Sequence, residues 1–125
     1  MHIGVGILVL AVLGTVIGAT YELLGRRNAA LQFPPQGELV DIGGRRIQLD
    51  CRGTGTPTVV FESGLDILGS LSWSKVHDEI AKTTRACAYS RAGIMWSDPD
   101  DGPRTSKSIA EDLHTALKRD RKSVV

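Results

Sequence analysis

The sequence has almost no excess of charge and very little cysteine. Its 15 Lys and Arg residues nearly balance 14 Asp and Glu residues, and a net charge of +1 gives no long-range field that would steer the protein onto nucleic acid. Cys51 and Cys87 lie far apart, without C-x-x-C spacing or a nearby histidine pair, so they predict no zinc site and no disulfide framework. We interpret them as two buried small side chains. The sequence predicts no metal, no cofactor and no nucleic-acid partner.

Charged residues are also missing from the first segment. From Ile3 to Tyr21 no side chain carries a charge. As a helix rising about 1.5 Å per residue, this segment is about 27 to 29 Å long, close to the thickness of a bilayer core. In hydrocarbon every backbone amide must pair inside its own segment, which a helix achieves. We therefore predict a transmembrane anchor or signal segment within residues 1–25, with residues 3–21 in contact with membrane lipid.

Two interpretations of this segment stay open. Arg26 and Arg27 follow it and no Lys or Arg precedes it, which by the positive-inside rule predicts a single-pass anchor with the rest of the chain in the cytoplasm. Gly18 and Ala19 are small enough to precede a cleavage site, so the alternative is an exported protein with a cleaved signal peptide. Gly14 and Gly18 also form a G-x-x-x-G pair, which would let two helices approach closely and self-associate.

The composition changes after the first segment. Residues 26–37 include two successive prolines and Gly37, a composition that favours an extended linker over a helix from Asn28 onward. We predict a soluble domain over residues 38–117 and a basic tail over residues 118–125.

The soluble domain begins with the pattern of a β-hairpin and two further strands. Gly43 and Gly44 supply the positive φ angles of a tight turn between strands at residues 38–42 and 45–52. In the second arm Ile47, Leu49 and Cys51 alternate with polar residues, which predicts a strand with one face covered. A run of β-branched and aromatic residues without polar alternation predicts a strand buried on both faces at residues 58–61, and a further strand is predicted at residues 85–89.

Two amphipathic helices complete the pattern. In residues 73–82 the spacing of Trp73, Val76 and Ile80 predicts a helix with these three side chains inward. A second helix is predicted from about residue 105 to 118, with Ser108 and Glu111 as a capping box and Ile109, Leu113 and Leu117 as its apolar stripe. The order of hairpin, strand, helix, strand, helix predicts a parallel sheet with helices on its faces, hence an α/β fold.

Two stretches of this chain resemble motifs of the α/β-hydrolase family. Residues 37–64 are similar to that family's opening G-x-L-V-D-V-G-G-R-x-L-H-L-x-C-x-G-x-G-x-P-T-V-V-x-E-x-G, and Tyr89-Ser-Arg-Ala-Gly-Ile-Met-Trp-Ser97 is similar to its Y-D-R-A-G-x-G-x-S. Ser90 and Met95 stand where the family has Asp and Gly. The resemblance covers about residues 37–117 and implies an incomplete α/β-hydrolase sheet, made of a β-hairpin, β, α, β and α. The transmembrane helix predicted above precedes it.

The resemblance implies one half of an active site. In the family the loop after the third strand gives a backbone N–H to the oxyanion hole, and here that loop carries Gly64 and Leu65; a tight turn is the alternative interpretation of Ser63-Gly64. No G-x-S-x-G pentapeptide is present, and Ser90 is only a weak candidate nucleophile. His77 and His114 are interpreted as surface or interface residues, and Trp73 and Trp96 as core residues.

The family continues past the last helix into the strand that carries its nucleophile. This chain ends in the basic cluster that begins at Lys118, so the resemblance predicts a member of the ester or acyl hydrolase class truncated before its nucleophile and inactive, with an ester-like substrate only in a complete homologue. In the family's strand order, 1-2-4-3-5, loss of strand 5 leaves residues 58–61 at an exposed edge, which favours association. The alternative function is a small membrane-anchored, non-catalytic protein that acts by association.

Overall fold

The first compact unit is one long helix. The computed structural model describes residues 2–120 and separates the chain into a unit of residues 1–34 and a unit of residues 35–125. Helix α1, His2–Gln32, has no charged side chain from Gly4 to Tyr21, and Leu10 and Ile17 are more than two-thirds exposed. Its stretch from Gly4 to Gln32 is long and apolar enough to cross a membrane, by length and composition alone.

Helix α1 is longer than the sequence predicted. The extended linker was predicted from Asn28, but residues 28–32 are helical and the irregular stretch begins at Phe33. The reason is that Pro34 limits the helix only near its own position, because a proline disfavours helical geometry mainly in the residue that precedes it. Asn28, Ala29 and Ala30 therefore still complete helical turns.

The second unit opens with the predicted hairpin. Strands β1, Glu38–Asp41, and β2, Arg46–Arg52, are antiparallel, with Asp41 opposite Arg46. Gly43 and Gly44 have φ angles of 116° and 96°, a region open to glycine. The Asp41 carboxylate accepts from both glycine N–H groups, at 2.7 and 3.0 Å. These two bonds, rather than any ion pair, are the main cause of the lowered pKa of Asp41.

Two further strands complete a four-stranded mixed sheet. Strand β4, Ala86–Tyr89, runs antiparallel to β2 and parallel to β3, Val59–Phe61, so the order is β1-β2-β4-β3. This confirms the strand order and the α/β class that the sequence predicted. Only the β3–β4 pair is parallel, because the opening strands are joined by a hairpin and not by a crossover. Strand β3 lies at the edge of the described sheet.

Helix α3, Ser106–Arg119, covers one face of the sheet. Leu113, Ala116 and Leu117 pack on a core of Ile47, Leu49, Cys87 and Tyr89. Leu113 and Leu117 of the predicted stripe are confirmed, whereas the predicted cap was wrong. Thr105 is the N-cap and exchanges hydrogen bonds with Ser108, each 3.1 Å long, so Ser108 is the third residue of the helix and Glu111 takes no part.

A short 3-10 helix, Gly69–Trp73, and helix α2, Ser74–Ala81, cover the opposite face. Trp73 stacks on Phe61 with ring centroids 5.0 Å apart, which confirms Trp73 as a core residue. The predicted inward position of Val76 was wrong: its side chain is 43% exposed, and His77, predicted at the surface, is buried instead. The 3-10 turn rotates the start of α2, so His77 and Ile80 face the sheet.

Strand β2 is buried on both faces, whereas the sequence predicted one. Gln48 and Asp50 lie inward on the face that α2 and the 3-10 helix cover, and both are almost inaccessible. The Gln48 side chain donates to Gln36 O at 2.7 Å and accepts from Ser90 Oγ at 2.7 Å. Asp50 accepts from the Arg52 side chain. The two polar side chains can be buried because each of them has hydrogen-bond partners.

Cys51 and Cys87 form a disulfide, so the interpretation of two unpaired buried cysteines was wrong. The two residues lie directly opposite one another on β2 and β4, with Cα atoms 4.0 Å apart. Their separation of 36 residues gives no local spacing signal, because strand pairing alone brings them together. At the other end of the unit, Lys118 and Arg119 belong to α3, and residues 121–125 of the predicted basic tail lie outside the described residues.

Candidate functional site

The predicted oxyanion loop leaves the carboxyl end of β3. Its Glu62 and Ser63 follow the last strand residue, and Gly64 and Leu65 come next. Leu65 is fully exposed, and a Cβ added at Gly64 would meet no atom within 4 Å. The φ angle of Gly64 is not positive, so neither packing nor backbone geometry requires glycine at this position. The structure therefore leaves open space beside Gly64.

Two side chains, those of Tyr89 and Arg91, hold the loop from the α3 face of the sheet. The hydroxyl of Tyr89 donates to the Glu62 carboxylate, and Arg91 Nε lies 3.1 Å from Glu62 Oε1. The guanidinium of Arg91 also donates to the backbone carbonyls of Ser63 and Gly64. Burial first, and the bond to Glu62 second, raise the pKa of Tyr89 above its ordinary value. Tyr89 therefore stays a neutral donor over the physiological range.

A network of serines anchors the loop from the opposite face. Ser63 Oγ donates to Gly69 O at 2.5 Å, and the backbone N–H of Ser70 donates to Ser90 Oγ at 3.1 Å. Ser90 Oγ in turn donates to the Gln48 side chain. Gly69 has a φ of 51°, and a Cβ there would lie 2.4 Å from Ser90 Oγ. The segment that carries the loop is thus fixed at both ends.

Ser90, the weak candidate nucleophile, is completely buried. Its hydroxyl is enclosed by Gln48, Ser70 and Gly69 and is committed to hydrogen bonds on the α2 side. A nucleophile must reach a substrate carbonyl, and the arrangement around Ser90 offers no route to its Oγ. Ser90 instead links the β4 end to the 3-10 helix.

A cleft of about 410 Å³ lies next to the loop. Gly64, Leu65 and Ile67 line one side, and Ser106 and Ile109 of α3 line another. This volume is within the range of small-molecule sites. Helix α3 is held beside the cleft by Arg45, whose guanidinium donates to both carboxylate oxygens of Asp112 at 2.5 and 2.8 Å.

The remaining predicted residues lie away from the cleft. His77 is buried under α2, His114 is exposed on α3 as predicted, and Trp96 is half-buried in the loop after β4. Within residues 2–120, no group of three or more His, Cys, Asp or Glu side chains is placed to hold a metal ion. Glu62 was predicted as part of the loop, but the contacts that Tyr89 and Arg91 make with it were not predicted. Tyr89 and Arg91 belong to the quoted motif, which was the available signal.

Comparison with solved structures identifies the fold. A meta-cleavage product hydrolase (CumD) from Pseudomonas fluorescens IP01 matches with a TM-score of 0.59 and 15% identity, over 68% of this chain and 32% of that one. A bromoperoxidase from Bacillus anthracis matches with a TM-score of 0.58 and 23% identity, over 66% and 30%. The esterase EaEST from Exiguobacterium antarcticum matches with a TM-score of 0.57 and 16% identity, over 66% and 31%.

The second unit has the opening part of the α/β-hydrolase fold. The chain spans about a third of the length of these solved structures. A protein named probable transporter efuK, from Hormonema carpetanum, is 36% identical over 85 residues, which are 63% of this chain and 12% of that protein. No protein-family model matches the chain.

Proposed function

We propose that residues 35–120 are the opening part of an α/β-hydrolase domain of the ester or acyl hydrolase class. In this proposal the loop from Glu62 to Leu65 gives the Leu65 N–H to the oxyanion hole. The observation that carries it is the position of that amide: it follows a strand parallel to its neighbour, lies beside the cleft and, among the described residues, meets no hydrogen-bond acceptor. An amide held free of partners is suited to stabilise negative charge on a carbonyl oxygen.

We further propose that this chain does not hydrolyse esters by itself. The sequence of residues 1–125 contains no G-x-S-x-G pentapeptide, and the hydroxyl of Ser90 is enclosed. Oxyanion stabilisation acts on charge that a nucleophile creates, so an oxyanion loop needs that nucleophile to be productive. A substrate of ester or related acyl type is proposed only for a complete domain.

A turnover assay tests the inactivity. The full chain in detergent micelles is incubated with 4-nitrophenyl acetate beside the Ser90→Ala variant and a buffer blank. We expect both proteins to release nitrophenol at the rate of the blank. Turnover by the wild-type chain that disappears in Ser90→Ala would show that Ser90 is a nucleophile after all and would contradict the proposal.

A second experiment tests the oxyanion role itself. The test uses a chain in which residues 35–120 are followed by a segment with a G-x-S-x-G motif, assayed with the same ester. In that chain Leu65→Pro removes the N–H, and kcat should fall about 10²- to 10³-fold. The matched Leu65→Ala variant keeps the N–H and truncates a fully exposed side chain, so it should retain activity. Equal loss in both variants would contradict the role of the amide.

The second candidate function is association within a membrane. Over residues 4–32 the apolar helix α1 is unburied, and Cβ atoms added at Gly14 and Gly18 would meet nothing. A G-x-x-x-G face without partners is suited to bind a second copy. Cross-linking of the chain in micelles should trap a dimer that Gly14→Leu/Gly18→Leu abolishes. A dimer that persists would point to the edge of β3 instead.

We propose that the second unit lies in an oxidising compartment. The Cys51–Cys87 disulfide supports this location, since disulfides persist in exported domains and are rare in the cytosol. Arg26 and Arg27 favour a cytoplasmic position for the second unit. This preference determines the orientation only if α1 remains in the membrane as an anchor. The test is to quench whole-cell extracts in acid and treat them with a maleimide polymer, which adds mass to free thiols. The protein should gain mass only when the extract is first reduced. A gain in mass without reduction would restore the cytoplasmic location.

A further inference from the structure

We propose that Arg91 is a positioning residue that sets the direction of the Leu65 N–H. The inference rests on the oxyanion role proposed above and adds the side chain that controls it. Arg91 follows β4 by two residues and is three-quarters buried against the loop that leaves β3. It is thus fixed to the strand beside the one that carries the loop.

The contacts of Arg91 are with the backbone of the loop. Its guanidinium donates to the carbonyl oxygens of Ser63 and Gly64. Across a trans peptide bond the C=O and the following N–H lie in one plane and point in opposite directions. When the Gly64 carbonyl is turned toward Arg91, the Leu65 N–H must therefore point away from it. The contact that fixes the Gly64 carbonyl therefore also fixes the direction of the Leu65 N–H.

Little else holds this part of the loop. Leu65 is fully exposed, and no atom of the described protein lies within 4 Å of a Cβ added at Gly64. The other contacts lie outside the Gly64–Leu65 peptide: the serine contacts act on Ser63 Oγ and on Ser70. The Asp66 carboxylate accepts from the N–H groups of Leu68 and Gly69. Without the guanidinium, the peptide between Gly64 and Leu65 would be free to rotate.

Arginine is suited to this task because its donors form a planar fork. It serves two carbonyls and the Glu62 carboxylate at once, with Nε 3.1 Å from Glu62 Oε1. Tyr89 donates to the same carboxylate and so fixes it to β4. A lysine carries the same charge but presents one compact ammonium, which does not reproduce a forked geometry.

The test is the order of the Leu65 amide, measured by ¹⁵N relaxation on the full chain in micelles. In the wild type we expect the Gly64 and Leu65 amides to have order parameters of about 0.85, and in Arg91→Gln we expect them to fall below about 0.6. Arg91→Lys should lower them as well, because the fork is lost although the charge remains. Arg104→Gln is the matched control: it removes the same charge from the same cleft and should leave both amides ordered.

The outcomes are distinguishable from those of the proposed function, because amide order is measured without substrate or turnover. Wild-type order at Leu65 in both Arg91 variants, with the β4 amide shifts unchanged, would overturn the role of Arg91. A loss of order spread over β4 would also overturn it, since it would indicate a general structural role. If Arg91→Gln does not fold, Glu62→Gln takes its place and should loosen the same two amides, because it weakens the anchor of the guanidinium.

Discussion

The imidazole of His77 meets the ring of Phe61 edge-on, with centroids 5.5 Å apart and planes inclined by 76°. His77 is 2% exposed, and its Nε2 lies 3.0 Å from the carbonyl oxygen of Ala86. Because a carbonyl oxygen only accepts, Nε2 carries the proton in this contact. His77 therefore joins α2 to β4 through one polar bond and to β3 through one aromatic contact.

Replacement of His77 by Ala should lower the free energy of unfolding by about 2 to 4 kcal/mol, since it leaves a cavity and an unpaired buried carbonyl. The exposed His114 on α3 is the matched control, and His114→Ala should change stability by less than about 0.5 kcal/mol. The free energies of unfolding of both variants are measured by urea unfolding, followed by the fluorescence of Trp73, which stacks on Phe61. Equal stabilities of the two variants would contradict the buried role of His77.

Met95 has a φ angle of 49° and is the non-glycine residue with positive φ among those described. A left-handed conformation costs an L-residue about 1 to 2 kcal/mol. Glycine avoids this cost, but part of the gain is offset because glycine raises the conformational entropy of the unfolded chain. Met95→Gly should therefore raise the free energy of unfolding by about 1 kcal/mol. Met95→Ala removes the same half-exposed side chain without relieving the backbone and should not stabilise. Stabilisation by Ala as large as by Gly would show that the side chain, not φ, is responsible.

The disulfide closes a long loop, with Cys51 and Cys87 separated by 36 residues. In the chain-entropy account, a cross-link of this length stabilises by roughly 3 to 4 kcal/mol. Reduction, or the double substitution Cys51→Ala/Cys87→Ala, should lower the unfolding midpoint in urea accordingly. Reductant should have no effect on the double variant, which makes it the control for the reagent. Two titratable thiols in the unreduced native chain would refute the pairing.

Asp98 should contribute to stability at neutral pH and lose that contribution in acid. Its carboxylate accepts from the Arg46 side chain at 3.0 Å and from the Arg46 backbone N–H at 2.8 Å, and these bonds lower the pKa of Asp98 in the folded state. In the unfolded chain the pKa is about 3.9. A folded pKa below the unfolded one gives stability that is present above about pH 4 and is lost as the pH falls through the folded value.

The measurement is the free energy of unfolding of wild type and Asp98→Asn at pH 7 and in steps down to pH 2.5. The variant should be less stable at pH 7, and the difference should shrink as the pH falls below about 4. Asp101→Asn alters an exposed neighbour and should follow the wild type throughout. A difference for Asp98→Asn that is independent of pH would show that the carboxylate charge is not involved.

Local chemistry made much of the fold predictable from the sequence. Gly43 and Gly44 indicated the hairpin turn because few other residues accept such φ angles. The stretch that contains Ala86–Tyr89 indicated a strand, and the spacing of Leu113 and Leu117 indicated the inner face of α3. Each of these signals lies within a few residues of the feature that it predicts.

The errors concern features that depend on distant partners. His77 follows Trp73 by one helical step of four and lies inward, but its polarity argued for the surface, and the carbonyl that satisfies it belongs to Ala86 on another element. Cys51 and Cys87 pair only because β2 lies beside β4 in one register. Arg91 belonged to a quoted motif, yet its partners are backbone carbonyls 27 and 28 residues away, which no side-chain pattern reveals.

The inward amide of Gln48 penalises misalignment of the hairpin. A shift of β2 by one residue would exchange its two faces, so Gln48 would enter the apolar layer of Tyr89 and Ala116 while Leu49 met the hydroxyl of Ser90. Each polar group left unpaired in this way costs about 1 to 3 kcal/mol. Gln48, which lies between Ile47 and Leu49 in the sequence, thus favours one register of the strands over the slipped alternatives while the sheet assembles.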